Sequence, residues 1–515
     1  MSLVACQSGN LELSLSYHNK VKTALGNNLS KDYARCLYEV GKFFGQSGKL
    51  KESEMFLRKS IDVFKDVNFY IGLSACLILL KKFSEAESAL KIAITMEPEN
   101  PGALVNMSTV LKNQGKLSEA EIFAEKILSK KNSDKKNLCD AFNILYQIRE
   151  EQGHLEEAEQ LARKAIAIKT DNTDSWLNLG SVLYKQERLE EAENAFREAL
   201  AISQDNPEGL WGLSLTLLLS GRYIEGWSYH DSRFYLKENS NALRFDHSCM
   251  WNGEDISGKR ILVWSEQGYG DQIQTFRYLK KIWEVGGEIL VETNTELVSL
   301  FRNSPWPSQV IQNGEAIPDF DFHIPFMSLP RILFEEVDFF SQAIPYLQAH
   351  EEKLEHWRNV LSAIPGYRVG IVWAGSPVHK NDRNRSINLE RMAPLASIPG
   401  ISLISLQKGS GESQVADCHF PITNFGSKIQ DFEDTAAILK HLDLLISVDT
   451  SVVHLAGALG QPVWTLLPTA PDWRWMLDRE DSPWYPSMRL FRQPHHGDWD
   501  SVIQRIVEEL KTNFS

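Results

Sequence analysis

A self-similarity of roughly 34 residues runs through the first half of the chain, and it constrains the fold more than any other feature. Glycines that follow a polar residue and precede a second helical pattern recur at Gly48, Gly115, Gly153 and Gly221. Small residues come into register at Ser53, Ala86, Ala120, Ala158, Ala192 and Gly226, with further small or apolar residues at Ala93, Ile127, Ala165 and Ala199. Six units result, starting near residues 34, 67, 101, 139, 173 and 207. The small residues let two helices of a hairpin approach closely, while Leu, Phe and Trp at helical spacing bury one face against the next hairpin. The expected product is an α-solenoid over residues 1–233.

The fifth unit, TDSWLNLGSVLYKQERLEEAENAFREALAISQDNP, carries Trp176, Leu179, Gly180, Ala192, Phe196 and Ala199 and resembles a tetratricopeptide repeat. The unit starting near 139 arrives a few residues late because KKNSDKK (130–136) lengthens the preceding connection. The aromatic and aliphatic residues of these units are read as core, so no binding residue is assigned to them.

After Arg233 the helical period stops. Residues 234–259 hold no sustained period and end in the turn-rich NGEDISGK, which reads as a connector. From Arg260 short β-branched runs alternate with helical patterns, the texture of parallel βαβ units. The predicted strands are RILVW (260–264) and GEILVET (287–293), then RVGIVWAGS (368–376), ISLISLQ (401–407), LDLLISV (442–448) and QPVWTLL (461–467). Pro-rich text between 305 and 345 separates the two sets. Two Rossmann-like halves in series, 260–350 and 351–515, imply a cleft, with ligands bound beyond the carboxyl ends of the strands.

Four segments follow strands at those ends. In SEQGYGD (265–271), Gly268 and Gly270 permit close backbone approach and Asp271 starts a helix; read alone, Asp271 is equally a helix-capping residue. In WAGSPVHKNDRNRS (373–386), His379, Lys380, Arg383 and Arg385 form a basic loop suited to phosphate, or a solvated charge run. In SLQKG (405–409), Lys408 offers a point charge to a diphosphate, or lies on the surface. In ISVDTSVVHLAGALGQPVW (446–464), Asp449, Thr450 and Ser451 start a helix with His454 on its first turn, an anion site or an ordinary cap over a packed histidine. Aromatic residues in DWRWMLDREDSPWYP (472–486) offer stacking faces for a base or sugar, or form a packed crossover. No DxD-type carboxylate pair stands at a strand end, so no metal site is expected.

The segments ILVWSEQGYGDQIQ and SVDTSVVHLAGALGQPVW resemble the bacterial family that includes the lipopolysaccharide heptosyltransferases, over about 260–491. The resemblance implies a metal-independent GT-B glycosyltransferase fold of two Rossmann-like halves using a nucleotide sugar, and direct displacement of the donor phosphate would invert the anomeric carbon. It gives Asp271 the catalytic-base position. Gly268, Gly270, Arg383, Arg385, Lys408, Asp449, Thr450, Ser451 and His454 form the expected donor-binding set. Repeats joined to such a unit are similar in layout to bacterial protein glycosyltransferases, including those acting on flagellin, which implies a protein acceptor recruited by the repeats. A lipid or surface-polysaccharide acceptor is the alternative within the same chemistry, and a non-catalytic repeat scaffold the alternative outside it.

A formal charge of −14 argues against general affinity for nucleic acid or anionic membrane. The six cysteines, Cys6, Cys36, Cys76, Cys139, Cys249 and Cys418, show no metal-ligand spacing and read as reduced thiols. The N-terminal text MSLVACQSGNLELS lacks a secretory pattern, and the longest apolar run (71–80) is too short to span a bilayer, so the cytoplasm is the expected compartment.

Overall fold

The computed structural model describes residues 31–130, 134–236, 244–334, 344–379 and 381–514. Lys380, Cys6 and the N-terminal text considered above lie outside them. The chain divides into two compact units, 1–204 and 205–515.

The first unit is a stack of helical hairpins: Lys31–Gln46 with Leu50–Val63, Val67–Leu79 with Phe83–Met96, Pro101–Asn113 with Leu117–Leu128, Lys135–Glu151 with Leu155–Ile168, and Thr173–Lys185 with Leu189–Ile202. The second to fifth hairpins start on a side-chain cap, in which Asp66, Asn100, Asp134 and Asn172 accept from first-turn N–H groups. The turn inside a hairpin needs one left-handed residue. Gly48, Gly115 and Gly153 supply it at φ of 74°, 77° and 80°, and Lys81 and Glu187 take the same position at 59° and 62°. The Gly153 N–H donates to the Glu150 carbonyl and the His154 N–H to the Arg149 carbonyl, which closes the end of the first helix. Ala86, Ala120, Ala158, Ala192 and Ala199 are fully buried, as the repeat register requires.

The sixth hairpin, Pro207–Leu219 with Tyr223–His230, clusters with the second unit rather than with the array. Its Trp227 packs edge-on against Trp473 at 5.1 Å, and Tyr223 packs against Trp484 at 5.3 Å. The described part of the connector is packed as well. Phe234, Phe245 and Met250 enter the core of the first sheet, Met250 bridges to His323, and Arg244 makes a bidentate pair with the buried Glu292 at 2.7 and 2.9 Å.

Two parallel sheets follow. The first contains β1 (Arg260–Trp264), β2 (Glu288–Thr293), β3 (Pro307–Gln312) and β4 (Phe322–Pro325) in the order β3-β2-β1-β4. The second contains β5 (Tyr367–Val372), β6 (Ile401–Ser405), β7 (Thr423–Asn424), β8 (Leu444–Val448), β9 (Val463–Leu467) and β10 (Met488–Arg492) in the order β10-β9-β8-β5-β6-β7. Renumbered from its first strand, the second sheet reads 3-2-1-4-5-6, the doubly wound order, and the first sheet reads 3-2-1-4. Strand order reverses beside β1 in one sheet and between β5 and β8 in the other, and ligands of doubly wound sheets bind beyond the carboxyl ends of strands at such reversals. The central strands bury Val369, Ile371, Leu444, Ile446, Val448 and Leu466 against Ile503, Val507 and Leu510 of the last helix, Trp499–Phe514. Among the described residues no helix is long and apolar enough to cross a membrane.

Candidate functional site at the two strand-order reversals

The loop after β1 enters the helix Tyr269–Thr275, and the loop after β8 enters the helix Ser451–Ala458; the two helices pack directly on each other. Gly270 is what permits this. A Cβ built there would lie 2.8 Å from Cδ2 of His454 and 3.5 Å from Cα of Ser451. Gly268 has an ordinary backbone, φ −65° and ψ 170°, and its absent Cβ would sit 3.2 Å from an oxygen of Asp271.

Asp271 caps its own helix from within: Oδ2 accepts from the Gly268 N–H at 2.9 Å. Its Oδ1 accepts from Nη2 of Arg474, a residue of the second sheet's side, on the turn Trp473–Trp475 after β9. Arg474 also donates through Nε to Gln274 and through Nη1 to Asp472 at 2.8 Å, and its guanidinium lies 4.3 Å from the centre of the Trp473 ring. Burial pushes the Asp271 carboxyl above the usual aspartate range; Arg474 pulls it back, and Asp472 adds to the rise. Burial works against the charge on Arg474, but Asp472, Asp271 and Asp449 outweigh it and hold the guanidinium protonated.

Asp449, directly after β8, belongs to the same cluster. Burial and the neighbouring Asp472 push its carboxyl up to about 6, against the pull of Arg385 and Arg474. Thr450 precedes the helix Ser451–Ala458 and makes no side-chain cap bond to it. His454 is 5 % exposed, stacks on Trp475 at 5.2 Å between ring centres, and faces the Tyr485 hydroxyl from Nδ1 at 3.1 Å. Burial first, then Arg474, Arg277 and Arg385, hold its imidazole well below the usual histidine range, so it is neutral near pH 7. Arg385 reaches the cluster from the loop after β5, where it pairs with Asp382 at 3.4 Å and folds over Gly375, whose absent Cβ would lie 2.6 Å from Nη2 of Arg385. His379 on the same loop is also coupled to Arg385, Asp472 and Asp271; burial and Arg385 lower it.

Asp271, Gly270, Asp449, Thr450, Ser451, His454 and Arg385 thus meet at the joint of the two reversals. Lys408 and Arg383 do not join the charged cluster. The Lys408 ammonium donates to the carbonyls of Gly426 and Ile429, because it leaves β6, one strand away from the reversal, and the following chain turns back over it. Arg383 points to solvent while Arg385, half a turn later, points inward.

Three features had no counterpart in the motifs. Arg474 lies in an aromatic stretch whose path only tertiary structure reveals. Glu266, inside the glycine loop, is nearly buried and pairs with the buried Arg233 at 3.0 Å, which ties the end of the sixth hairpin to the loop that carries Asp271. Gln407 accepts from the N–H groups of Trp373 and Ala374 at 3.0 and 2.9 Å and holds the start of the loop after β5. The aromatics of 472–486 form the packed crossover: Trp473, Trp475, Trp484 and Tyr485 are all at most 4 % exposed, which leaves them no free stacking face. Among the described residues no group of three or more His, Cys, Asp or Glu is arranged to hold a metal ion.

Comparison with known proteins agrees with these elements. Residues 411–497 match the model of glycosyltransferase family 9 (heptosyltransferase), and residues 142–254 match the middle TPR-like domain of cilia and flagella-associated protein 70. Protein FlbA of Caulobacter vibrioides is 28 % identical over 324 residues, 57 % of this chain and 53 % of FlbA, so the chain spans about half the length of that curated relative. Among solved structures, a tetratricopeptide repeat protein of Parabacteroides merdae aligns with a TM-score of 0.38 at 14 % identity, covering 46 % of this chain and 92 % of that one. The glycosyl transferase family 9 structure of Veillonella parvula aligns with a TM-score of 0.37 at 14 % identity, covering 51 % and 91 %. The chain therefore combines a tetratricopeptide-like helical array with a glycosyltransferase family 9 (heptosyltransferase) domain.

Proposed function

We propose that the second unit moves a glycosyl group from a nucleotide-activated sugar to an acceptor hydroxyl. In this reading the acceptor oxygen attacks the anomeric carbon, the bond from that carbon to the donor phosphate breaks, and the hydroxyl proton passes to Asp271. Direct displacement inverts the anomeric centre. The charge that develops on the departing phosphate is met by Arg385 and by the start of the helix Ser451–Ala458, so the step needs no divalent cation. His454, neutral, serves as a hydrogen-bond partner rather than as the base.

The observation that carries the reading is the meeting of one carboxylate from the first reversal with an arginine and a helix start from the second. A burial-raised carboxyl beside such a crevice suits proton acceptance. The acceptor is a protein presented by the helical array, consistent with the likeness in layout to bacterial protein glycosyltransferases.

Thermal-shift screening against UDP-, GDP-, ADP- and CMP-sugars is expected to find a stabilising donor. The Asp271→Asn variant is expected to bind that donor and lose turnover. Full turnover by this variant would remove Asp271 as the base, and no stabilisation by any donor would favour a non-catalytic scaffold. A chain shortened to start at residue 205 is expected to retain donor binding and lose modification of its protein target in cells; unaltered modification would remove the recruiting role of the array.

A further inference from the structure

Most of the buried polar groups of the second unit are accounted for by packing or by the donor-binding reading. Arg474 carries a contact that packing alone does not call for. It is 6 % exposed, it comes from the second half, and it contacts the candidate base of the first half directly. We propose that Arg474 is the positioning residue for Asp271: its guanidinium holds one carboxylate oxygen while the Gly268 N–H holds the other, so the base is oriented only when the two halves of the domain are docked.

The geometry favours arginine over any other cation. Three nitrogens each have a separate partner, Nη2 with Asp271, Nε with Gln274 and Nη1 with Asp472, and the plane is covered by Trp473. A planar fork fixed at three points has no freedom left to rotate, whereas a lysine ammonium is a single point on a flexible stem. With one bond to each oxygen, Asp271 keeps acceptor capacity, and 20 % of its side-chain surface stays open to receive a proton.

Charge balance requires the same residue. The groups facing Asp271 are Arg474 and Asp472 from the turn after β9, His379 from the loop after β5, and Glu266 from its own loop. Asp472 pushes Asp271 towards the protonated form, as burial does. Arg474 is the strongest opposing charge, and a protonated Asp271 accepts nothing. This role rests on Asp271 being the base.

The test uses the full chain labelled with [4-13C]aspartate, with the Asp271 carboxyl signal assigned by its loss in Asp271→Asn. In Arg474→Gln the Asp271 titration midpoint is expected to rise by about one pH unit or more, the usual effect of removing an adjacent cation. An unchanged midpoint would overturn the proposal. Arg474→Lys keeps the charge and carries the test even where Arg474→Gln does not fold. Its kcat, read as nucleotide release with the UDP-, GDP-, ADP- or CMP-sugar selected by the screen, is expected to fall about tenfold or more with KM for that donor little changed. Wild-type kcat in Arg474→Lys would sink the positioning role. The two readings fail separately: an active Asp271→Asn removes the base, whereas an inactive Asp271→Asn beside a fully active Arg474→Lys removes only the part given to Arg474.

Discussion

Replacing Gly270 by alanine is expected to damage stability and turnover together. The added methyl would lie 2.8 Å from Cδ2 and 3.4 Å from Nε2 of His454, whereas ordinary contact begins at 3.4 Å, a shortfall of about 0.6 Å. The histidine has nowhere to retreat, since Trp475 stacks on one face and Tyr485 holds Nδ1. The helices Tyr269–Thr275 and Ser451–Ala458 must therefore separate. Overpacking of this kind costs about 1–3 kcal/mol, which for a unit of this size lowers Tm by roughly 2–6 °C. Misplacement of a reacting group by 1 Å costs about a hundredfold in rate, so a shift of this size costs on the order of tenfold in kcat. Gly268→Ala serves as the internal comparison, because its backbone angles suit any residue and its methyl meets only the Asp271 carboxylate, at 3.2 Å. Differential scanning calorimetry and a donor-turnover assay on the two variants decide the matter. A Gly270→Ala protein with wild-type Tm and kcat would refute the close-packed joint.

Gly153→Ala isolates backbone strain, since the residue sits at φ 80° with nothing within 4 Å of an added methyl; a loss of about 1–2 kcal/mol is expected in denaturant melts, and no loss would show that the turn can relax. Arg233→Met leaves the buried Glu266 without its cation, with only the Met327 N–H to meet it, and is expected to cost about 3–5 kcal/mol, with an intact melting curve counting against that network. Asp449→Asn tests the burial of its carboxyl. With a folded value of about 6 against an ordinary 3.8, the folded state binds more protons between those limits, so the wild-type residue removes stability as pH rises through them. The asparagine variant is accordingly expected to gain at most about 3 kcal/mol at pH 8 and nothing at pH 3, and equal Tm differences at both pH values would disprove it.

The parts of this fold that repeat or run unbroken were legible in the sequence. Four of the hairpin turns stand at the glycines that mark the period, and β1 has the bounds expected of RILVW. The strands overlooked were edges. β3 begins at Pro307 and β4 ends at Pro325, inside text that reads as a Pro-rich separator, because an edge strand tolerates proline at its ends and needs few apolar residues. β10, MRLFR, is also an edge strand, and its two arginines interrupt the apolar run. Within the site, residues placed by their own strand ends, Asp271 and Asp449, were readable one at a time. Arg474 was not, because its neighbours are set by a turn that packs Trp473 and Trp475 away from solvent. Lys408 shows the reverse: its position after a strand was correct, but the direction of its side chain is decided by carbonyls some twenty residues further on.

The clustering of the sixth hairpin with the α/β unit sets a seam for natural variation in this architecture. Hairpins ahead of residue 204 add to one another in series, so gain or loss of one changes the length of the array. The segment 207–230 has no such licence. Its tryptophan and the arginine just beyond it buttress the crossover and the glycine loop, so a protein that sheds this last hairpin gives up part of the packing of the α/β unit as well as a repeat.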